Sequence, residues 1–487
     1  MKTRTIFMLA VVVLLMPGIA GFVGAAEPFL VKDINPGDTS SFPSEIIYVN
    51  GTLFFAADDG THGKELWKSD GTRAGTMLVK DIWPGLTGSS PAEFTDVNGT
   101  LFFTADNGMH GLELWKSDGS EGGTVMVKDI NSGPGDSRPY WLTDSNATLF
   151  FVADDGTHGY ELWKSEGTET GTMMVKDIWP DSNPENAYPR ELTDVNGTLF
   201  FVSVGGLWKS SGTEETTLLV SQRTSEFEPQ NLRNAMGTLF FISVNDSEYG
   251  AELWKSDGTA AGTVIVKDIN PGGDPAGAFD REQPPDTITA VGSTLFFRDD
   301  GYTGTLWRSD GTEAGTVMVK DCSMAHYLSD VNGTLFFRAV DPCAEADRLW
   351  KSDGTEEGTV MVSSIGTGPG PVTDVNGTLF FADYTNDAGC ELWQTDGTPE
   401  GTVMVKDINP GPAGSMPGYL TNQNGRLLFS ANDGIRGTEL WIYVDWFCSE
   451  AIVGDLNNDC KVDFADFCHF ACGWLSCNRQ PDYLCEL

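Results

Sequence analysis

The sequence predicts an all-β protein: a β-propeller of about nine four-stranded antiparallel blades closed by its N-terminal strand, with a small C-terminal calcium-loop and helix module. Three observations carry that expectation. A tryptophan in an ELW-type motif recurs at Trp67, Trp115, Trp163, Trp208, Trp254, Trp307, Trp350, Trp393 and Trp441. Each interval holds several short apolar runs separated by turn residues, and a period in the forties of this kind marks a propeller or array. The two ends of the array are also complementary.

One copy, residues 93–130, shows the unit. Its first strand, EFTDV, ends at Asn98-Gly99, a pair suited to a type I′ turn because both central residues need positive φ. The second strand is TLFFTA and the third ELWKS, with the turn cluster Asp106-Asn107-Gly108 between them. The fourth, TVMVKDI, comes after Asp118-Gly119 and alternates with the period of two expected of a half-buried strand. A longer Gly/Pro/Ser-rich link, SGPGDSRP, then leads to the next copy. Three tight hairpins and one long crossing are the connectivity of a propeller blade.

The ends argue for a closed ring. A fourth-strand sequence, LVKDI (Leu30 to Ile34), precedes any first strand. The ninth copy has three strands (YLTNQ, RLLFSA, TELWIY) and lacks the fourth. Pairing the two removes both exposed edges, whereas a solenoid needs capping units. Nine units exceed the usual four to eight blades. The fourth copy is abbreviated (FVSVGGLWKSSGT) and the sixth carries the insertion GGDPAGAFDREQPPD, so a ring with one irregular unit outside it is the alternative.

The octamer ELWKSDGT at Glu65 to Thr72, repeated with small changes over residues 28–444, resembles the bacterial ELWxxDGT repeat family. The resemblance implies an exported repeat protein and brings no established activity, substrate or catalytic residue. The copies depart from the motif at Glu166, at Ser211 and after Trp441, which speaks against a ligand role shared by its aspartate.

The flanks differ from the repeats. Lys2 and Arg4, the apolar run Ile6 to Met16 and the small residues Gly24-Ala25-Ala26 read as a signal peptide over residues 1–26. Export to the extracellular space or cell surface is therefore expected, with no transmembrane segment. The 70 acidic against 30 basic residues leave a net charge of -40, which disfavours nucleic acid and anionic lipid and attracts cations. Of nine cysteines, Cys448, Cys460, Cys468, Cys472, Cys477 and Cys485 crowd the C-terminus, where an exported chain is expected to form disulfides. Cys322, Cys343 and Cys390 lie among the repeats, leaving one over.

Residues 446–487 carry different chemistry. In GDLNNDCKVDFADF, Asp455, Asn457, Asp459, Lys461 (through its carbonyl), Asp463 and Asp466 match loop positions 1, 3, 5, 7, 9 and 12 of a calcium site. Phe464, Phe467, Ala471 and Trp474 come next at helical spacing. The segment resembles one half of a type I dockerin, which implies a cohesin-like partner. Cys460 stands in place of the usual Gly, and no second loop is present after it.

The repeated polar residues read as structure. Asp70, Asp118, Asp257, Asp310, Asp353 and Asp396 fit local turns better than metal ligation. His62, His110 and His158 occupy equivalent turns, and the motif tryptophans fit packing between sheets better than sugar stacking. Asn-Gly-Thr at Asn50, Asn98, Asn196, Asn332 and Asn376 satisfies both the hairpin and the glycosylation pattern.

No linear catalytic motif is present, so no catalytic residue is assigned. The expectation is a secreted, non-catalytic binding or surface protein whose propeller engages an extracellular glycan or protein. The alternative is a polysaccharide-degrading enzyme, a glycoside hydrolase or polysaccharide lyase, or a component of such a complex. It would use the asymmetric insertion bearing Asp280, Arg281, Glu282 and Asp286. Asp455→Ala removes a charge and a coordinating oxygen, and it is expected to abolish calorimetric calcium binding by the C-terminal loop. Absence of heat when millimolar calcium is added to the oxidised wild-type protein would rule the loop out.

Overall fold

The computed structural model describes residues 27–180, 187–221, 228–246, 249–269, 271, 288–298, 304–321, 325–341, 346–363, 370 and 372–444. The expected signal segment, the insertion with Asp280, Arg281, Glu282 and Asp286, and the expected C-terminal calcium-loop module lie outside them. Among the described residues no helix is long and apolar enough to cross a membrane.

Pro28–Tyr443 forms one compact unit of nine four-stranded antiparallel sheets. Eight sheets are built in chain order, from Ser44–Val49, Thr52–Asp58, Lys64–Ser69 and Met77–Lys80 in blade 1 onward. Blade 9 is composite. Its Gly418–Gln423, Arg426–Asn432 and Thr438–Tyr443 are completed by Phe29–Lys32, with Leu30 opposite Trp441 and Lys32 opposite Leu440. The predicted closure is what the chain does, and the abbreviated fourth copy and the sixth are full blades within the ring.

The first strands of successive sheets touch one another from blade 8 through blades 9 and 1 on to blade 7, so they are the inner strands about the ring's axis. The second strands are buried on both faces, which explains their unbroken apolar runs such as TLFFAA. Alternation then divides the work. Phe54 and Leu66 of blade 1 pack with Leu101, Phe103 and Trp115 of blade 2, and the same wedge recurs between blades 2 and 3 with Phe102, Leu114, Phe151 and Trp163. In every blade the motif tryptophan lies directly across the ladder from the second phenylalanine of LFF or its equivalent, as Phe55 does from Trp67 and Phe429 from Trp441. Truncating one such buried Phe to Ala typically costs about 3–5 kcal/mol, so the wedges dominate cohesion between blades.

Turns behave as their residues require. Asn98 and Gly99 both have positive φ (51° and 79°), the type I′ geometry, and the Gly99 N–H is held by Asp96 Oδ1. Each SDGT aspartate is spent inside its own turn. Asp70 Oδ1 accepts from the Thr72 N–H at 2.8 Å and hydroxyl at 2.7 Å, which holds its carboxyl below the ordinary carboxylate range. The same pair of bonds recurs at Asp118, Asp257, Asp310, Asp353 and Asp396. Gly119 has positive φ, which strains any other residue, and a Cβ there would stand a tight 3.2 Å from the Phe54 ring of the preceding blade.

The long crossings are fixed by a buried carboxylate. The glutamate of ELW is inaccessible in five blades (Glu65, Glu113, Glu161, Glu391 and Glu439). Glu113 accepts the Ile130 N–H at 2.9 Å, where the fourth strand ends, and the Ser137 N–H and hydroxyl at 3.2 and 2.6 Å, where the crossing ends. Glu65 does so with Ser89, Glu391 with Ser415 and Glu439 with Ser41. Glu439 reaches residues Ile34 and Ser41 across the closure, so it helps seal the ring. Blade 3 departs from the pattern: Ala187 stands where the others place serine, and Glu161 keeps the Ile178 N–H.

Burial pushes Glu113 and Glu439 up to about 7, and Glu161, without a serine hydroxyl, to about 8, from an ordinary 4.5. Because the folded values are raised, their stabilisation is complete below about 4.5 and is lost as pH climbs through about 7 to 8. The melting temperature is expected to fall between about pH 5 and about pH 8, and Glu161→Gln to flatten that fall. Calorimetric scans across the range check this; a melting temperature that rises with pH, or an unaltered slope in the variant, contradicts it.

Candidate functional site

The anchored crossing positions the start of the next blade. Four residues after each anchoring serine the chain enters an inner strand and makes a β-bulge: Ser41 leads to Glu45, Ser89 to Glu93, Ser137 to Trp141 and Ser415 to Tyr419. Ala187 leads likewise to Glu191. Asn231 and Tyr327 hold the same place after blades 4 and 6, whose motif glutamate is replaced by Gly206 and Thr305. All seven bulge residues are left-handed, with φ between 53° and 57°. For a residue with a side chain that conformation costs roughly 1–2 kcal/mol, and it persists where surrounding structure over-determines it.

These residues form an arc at one axial end of the inner strands, on the face where the crossings arrive. Elsewhere the repeat is nearly uniform; here the chemistry varies. Three positions are carboxylates (Glu45, Glu93, Glu191), three are aromatic (Trp141, Tyr327, Tyr419) and one is Asn231. Trp141 and Tyr419 are 43% and 52% exposed, and Glu93 is exposed.

Neighbouring bulges are tied together. Glu93 Oε2 accepts the Trp141 N–H at 3.1 Å, and Glu191 Oε2 accepts the Leu232 N–H at 2.8 Å, each carboxylate satisfying the next blade's backbone. Thr95, Thr143, Thr193, Thr373 and Thr421 donate their hydroxyls to a carbonyl of the adjacent inner strand. Burial raises the carboxyls of Glu93 and Glu191, and the charge of Glu45 adds to the effect at Glu93. The result is an acidic, aromatic-walled mouth with fixed backbone geometry. It favours a ligand that brings positive charge and flat or apolar surface together.

The residues singled out from sequence lie elsewhere. The calcium-loop residues Asp455, Asn457, Asp459, Lys461, Asp463 and Asp466 fall outside the described residues. His62 and His158 bond within their own turns to Asp59 and Asp155, both at 2.8 Å, and His110 to Asn107. The motif tryptophans are mostly buried between blades, several with a lysine of the preceding sheet over the ring, as Lys32 is over Trp67 at 5.4 Å. Cys390 is a free thiol, pushed up to about 11 by burial and by Asp383 and Glu391. The other cysteines lie outside the described residues, as do the disulfides expected of them. Among the described residues no group of three His, Cys, Asp or Glu side chains is arranged to hold a metal ion.

Sequence reasoning missed the mouth. It held that carboxylates and aromatics occupy repeated, equivalent positions, and the bulge is the place where equivalence of backbone goes with difference of side chain. A signal was present: Ser-x-Pro at Ser41 to Pro43, Ser89 to Pro91, Ser137 to Pro139 and Ser415 to Pro417 stands two residues before each such position.

No family model matches the chain, and no curated protein does. Similar solved structures include a puromycin hydrolase at 12% identity and TM-score 0.40, over 84% of this chain and 61% of the other. A prolyl endopeptidase structure is 11% identical at TM-score 0.42, over 74% and 55%, and a puromycin-hydrolyzing peptidase of Mycobacterium tuberculosis 9% identical at 0.41, over 84% and 61%. The chain thus spans about three-fifths of the length of these proteins. Likeness of this degree assigns no activity or substrate to this chain. It does correct the expectation drawn from sequence. The structural neighbours are named as peptidases and hydrolases and lend the expected non-catalytic surface protein no support; that expectation is not carried forward. The carbohydrate-active alternative gains no support from these three either.

Proposed function

We propose that the axial mouth recognises positively charged polypeptide segments in the extracellular space. The observation that carries this reading is the bulge arc, in which three carboxylates on separate blades flank exposed aromatic rings. A metal ion needs its oxygens converged on one point, whereas carboxylates spread over blades suit a polycation with several charges. Nucleic acid is disfavoured by the net charge of -40, and that same charge steers basic chains toward the protein. Aromatic faces beside the carboxylates add cation–π attraction for lysine and arginine. Several weak contacts from successive blades, engaged by one chain, act together.

The resemblance to ELWxxDGT proteins and the signal segment support placing this recognition outside the cell. The six-position match at Asp455 to Asp466 supports calcium as a ligand of the C-terminal loop, and the half-dockerin likeness supports a tethering partner there.

Titration calorimetry of residues 27–487 with a lysine-rich peptide, and with a glutamate-rich peptide of equal length, tests the proposal. The basic peptide is expected to bind, with affinity falling as salt rises, and the acidic one to give no heat. The triple variant Glu45→Gln, Glu93→Gln, Glu191→Gln keeps the carbonyl acceptors for Trp141 and Leu232 while removing the charge. It should weaken binding at least roughly tenfold. Equal binding of both peptides, or wild-type affinity in the triple variant, contradicts the proposal. Mass spectra of the recovered peptide then read whether recognition is coupled to cleavage.

A further inference from the structure

The mouth is not equally aromatic all round, and the repeat itself supplies the comparison. Tyr140 occupies the position held by Ser44, Ala92 and Gly418 in other blades. Tyr160 replaces Lys64, Leu112 and Thr438 at the start of the third strand, and Tyr188 stands at the end of the crossing where other blades have Ser90, Arg138, Met416 and, once, the aromatic Phe42. Together with Trp141, four aromatic rings enter one sector, blades 3 and 4; the bulge and crossing places are also aromatic at Tyr327, Tyr419 and Phe42, whereas the places of Tyr140 and Tyr160 are held in the blades just named by small, aliphatic or charged side chains or by threonine. The blade does not require them.

Their arrangement is ordered. Tyr140 meets Tyr160 edge-on at 5.6 Å between centroids, and Tyr160 stacks on Tyr188 at 5.2 Å and 27°. Trp141 and Tyr188 remain 43% and 42% exposed, so the outermost rings of the group present surface to solvent. Trp141 is placed by its amide, which is bonded to the Glu93 carboxylate, so a negative charge sits at the base of an exposed indole. Rings fixed by their neighbours lose little freedom on binding, and each offers a large flat face.

We propose that this sector is a specificity subsite of the mouth, taking an aromatic side chain adjacent to a basic one in the bound polypeptide. It rests on the reading of the mouth as a site for cationic peptides and adds the residue class that it selects. A ring from the ligand lies against the exposed faces of Trp141 and Tyr188, while the neighbouring ammonium or guanidinium meets Glu93.

Calorimetry with two peptides of equal length and charge, one with phenylalanine and one with alanine between lysines, tests it on residues 27–487. The variants Tyr188→Ser and Tyr160→Leu install residues that the repeat itself uses at those places, Ser90 and Leu112, so the blade is expected to fold. Wild-type protein should bind the phenylalanine peptide roughly tenfold more tightly than the alanine peptide. Both variants should lose that preference while binding the alanine peptide as wild type does. Equal affinity of the two peptides for wild-type protein, or a preference retained in both variants, overturns the subsite and leaves the cationic mouth standing. Failure of both peptides to bind wild-type protein overturns the mouth and the subsite together.

Discussion

The glutamate of the ELW motif is the interaction on which the rest depends. A carboxylate with no solvent access is costly to bury, and it is tolerated here because backbone N–H groups and a serine hydroxyl converge on it. Those donors come from two separate pieces of chain, the end of the fourth strand and the end of the crossing. One side chain therefore fixes a link that has no ladder of its own. At Glu439 the same bonds span the two ends of the repeat array, and the ring is sealed by a carboxylate as well as by strand pairing.

Where the glutamate is kept, fixing the crossing also holds the start of the next inner strand; the same left-handed bulge forms at Asn231 and Tyr327 after blades that lack it, and the bulge is where a symmetric scaffold carries asymmetric chemistry. In seven blades, among the described residues, the bulge forces one residue into a left-handed conformation and re-aims its side chain. Packing wedges on both faces of every sheet restrict the second and third strands to a narrow set of residues. The bulge residue faces no such wedge. Its identity is free to differ from blade to blade, and Glu, Trp, Tyr and Asn all occur there. The stiffness of the sheets and the freedom of the mouth are two consequences of one arrangement.

Much of the fold was legible because it rests on local chemistry. Asn-Gly pairs need positive φ at both residues, LFF runs need burial on both faces, and the orphan LVKDI strand needs a partner; each requirement leaves a mark in the sequence. The aspartate bonds of the SDGT turn are likewise local. The candidate site was hidden for the opposite reason. Left-handed Glu93 and Trp141 carry no glycine to betray their φ, and the crossings that lead to them are held by Glu65 and Glu113, which lie 28 residues upstream in each case. In a strand written Glu-Leu-Trp, an acidic first residue reads as a solvated edge, and only its partners at Ser89 and Ser137 show it to be buried. The C-terminal calcium loop, by contrast, is an expectation that rests on spacing alone.

Amide hydrogen exchange on a Glu113→Ala variant measures the central dependence most directly. If the buried carboxylate holds the crossing and the crossing holds the bulge, the amides of Ile130, Ser137 and Trp141 exchange faster in the variant, while the ladder of Thr100–Asp106 stays protected. Unchanged protection at Ser137 and Trp141, with the carboxylate gone, would contradict the account.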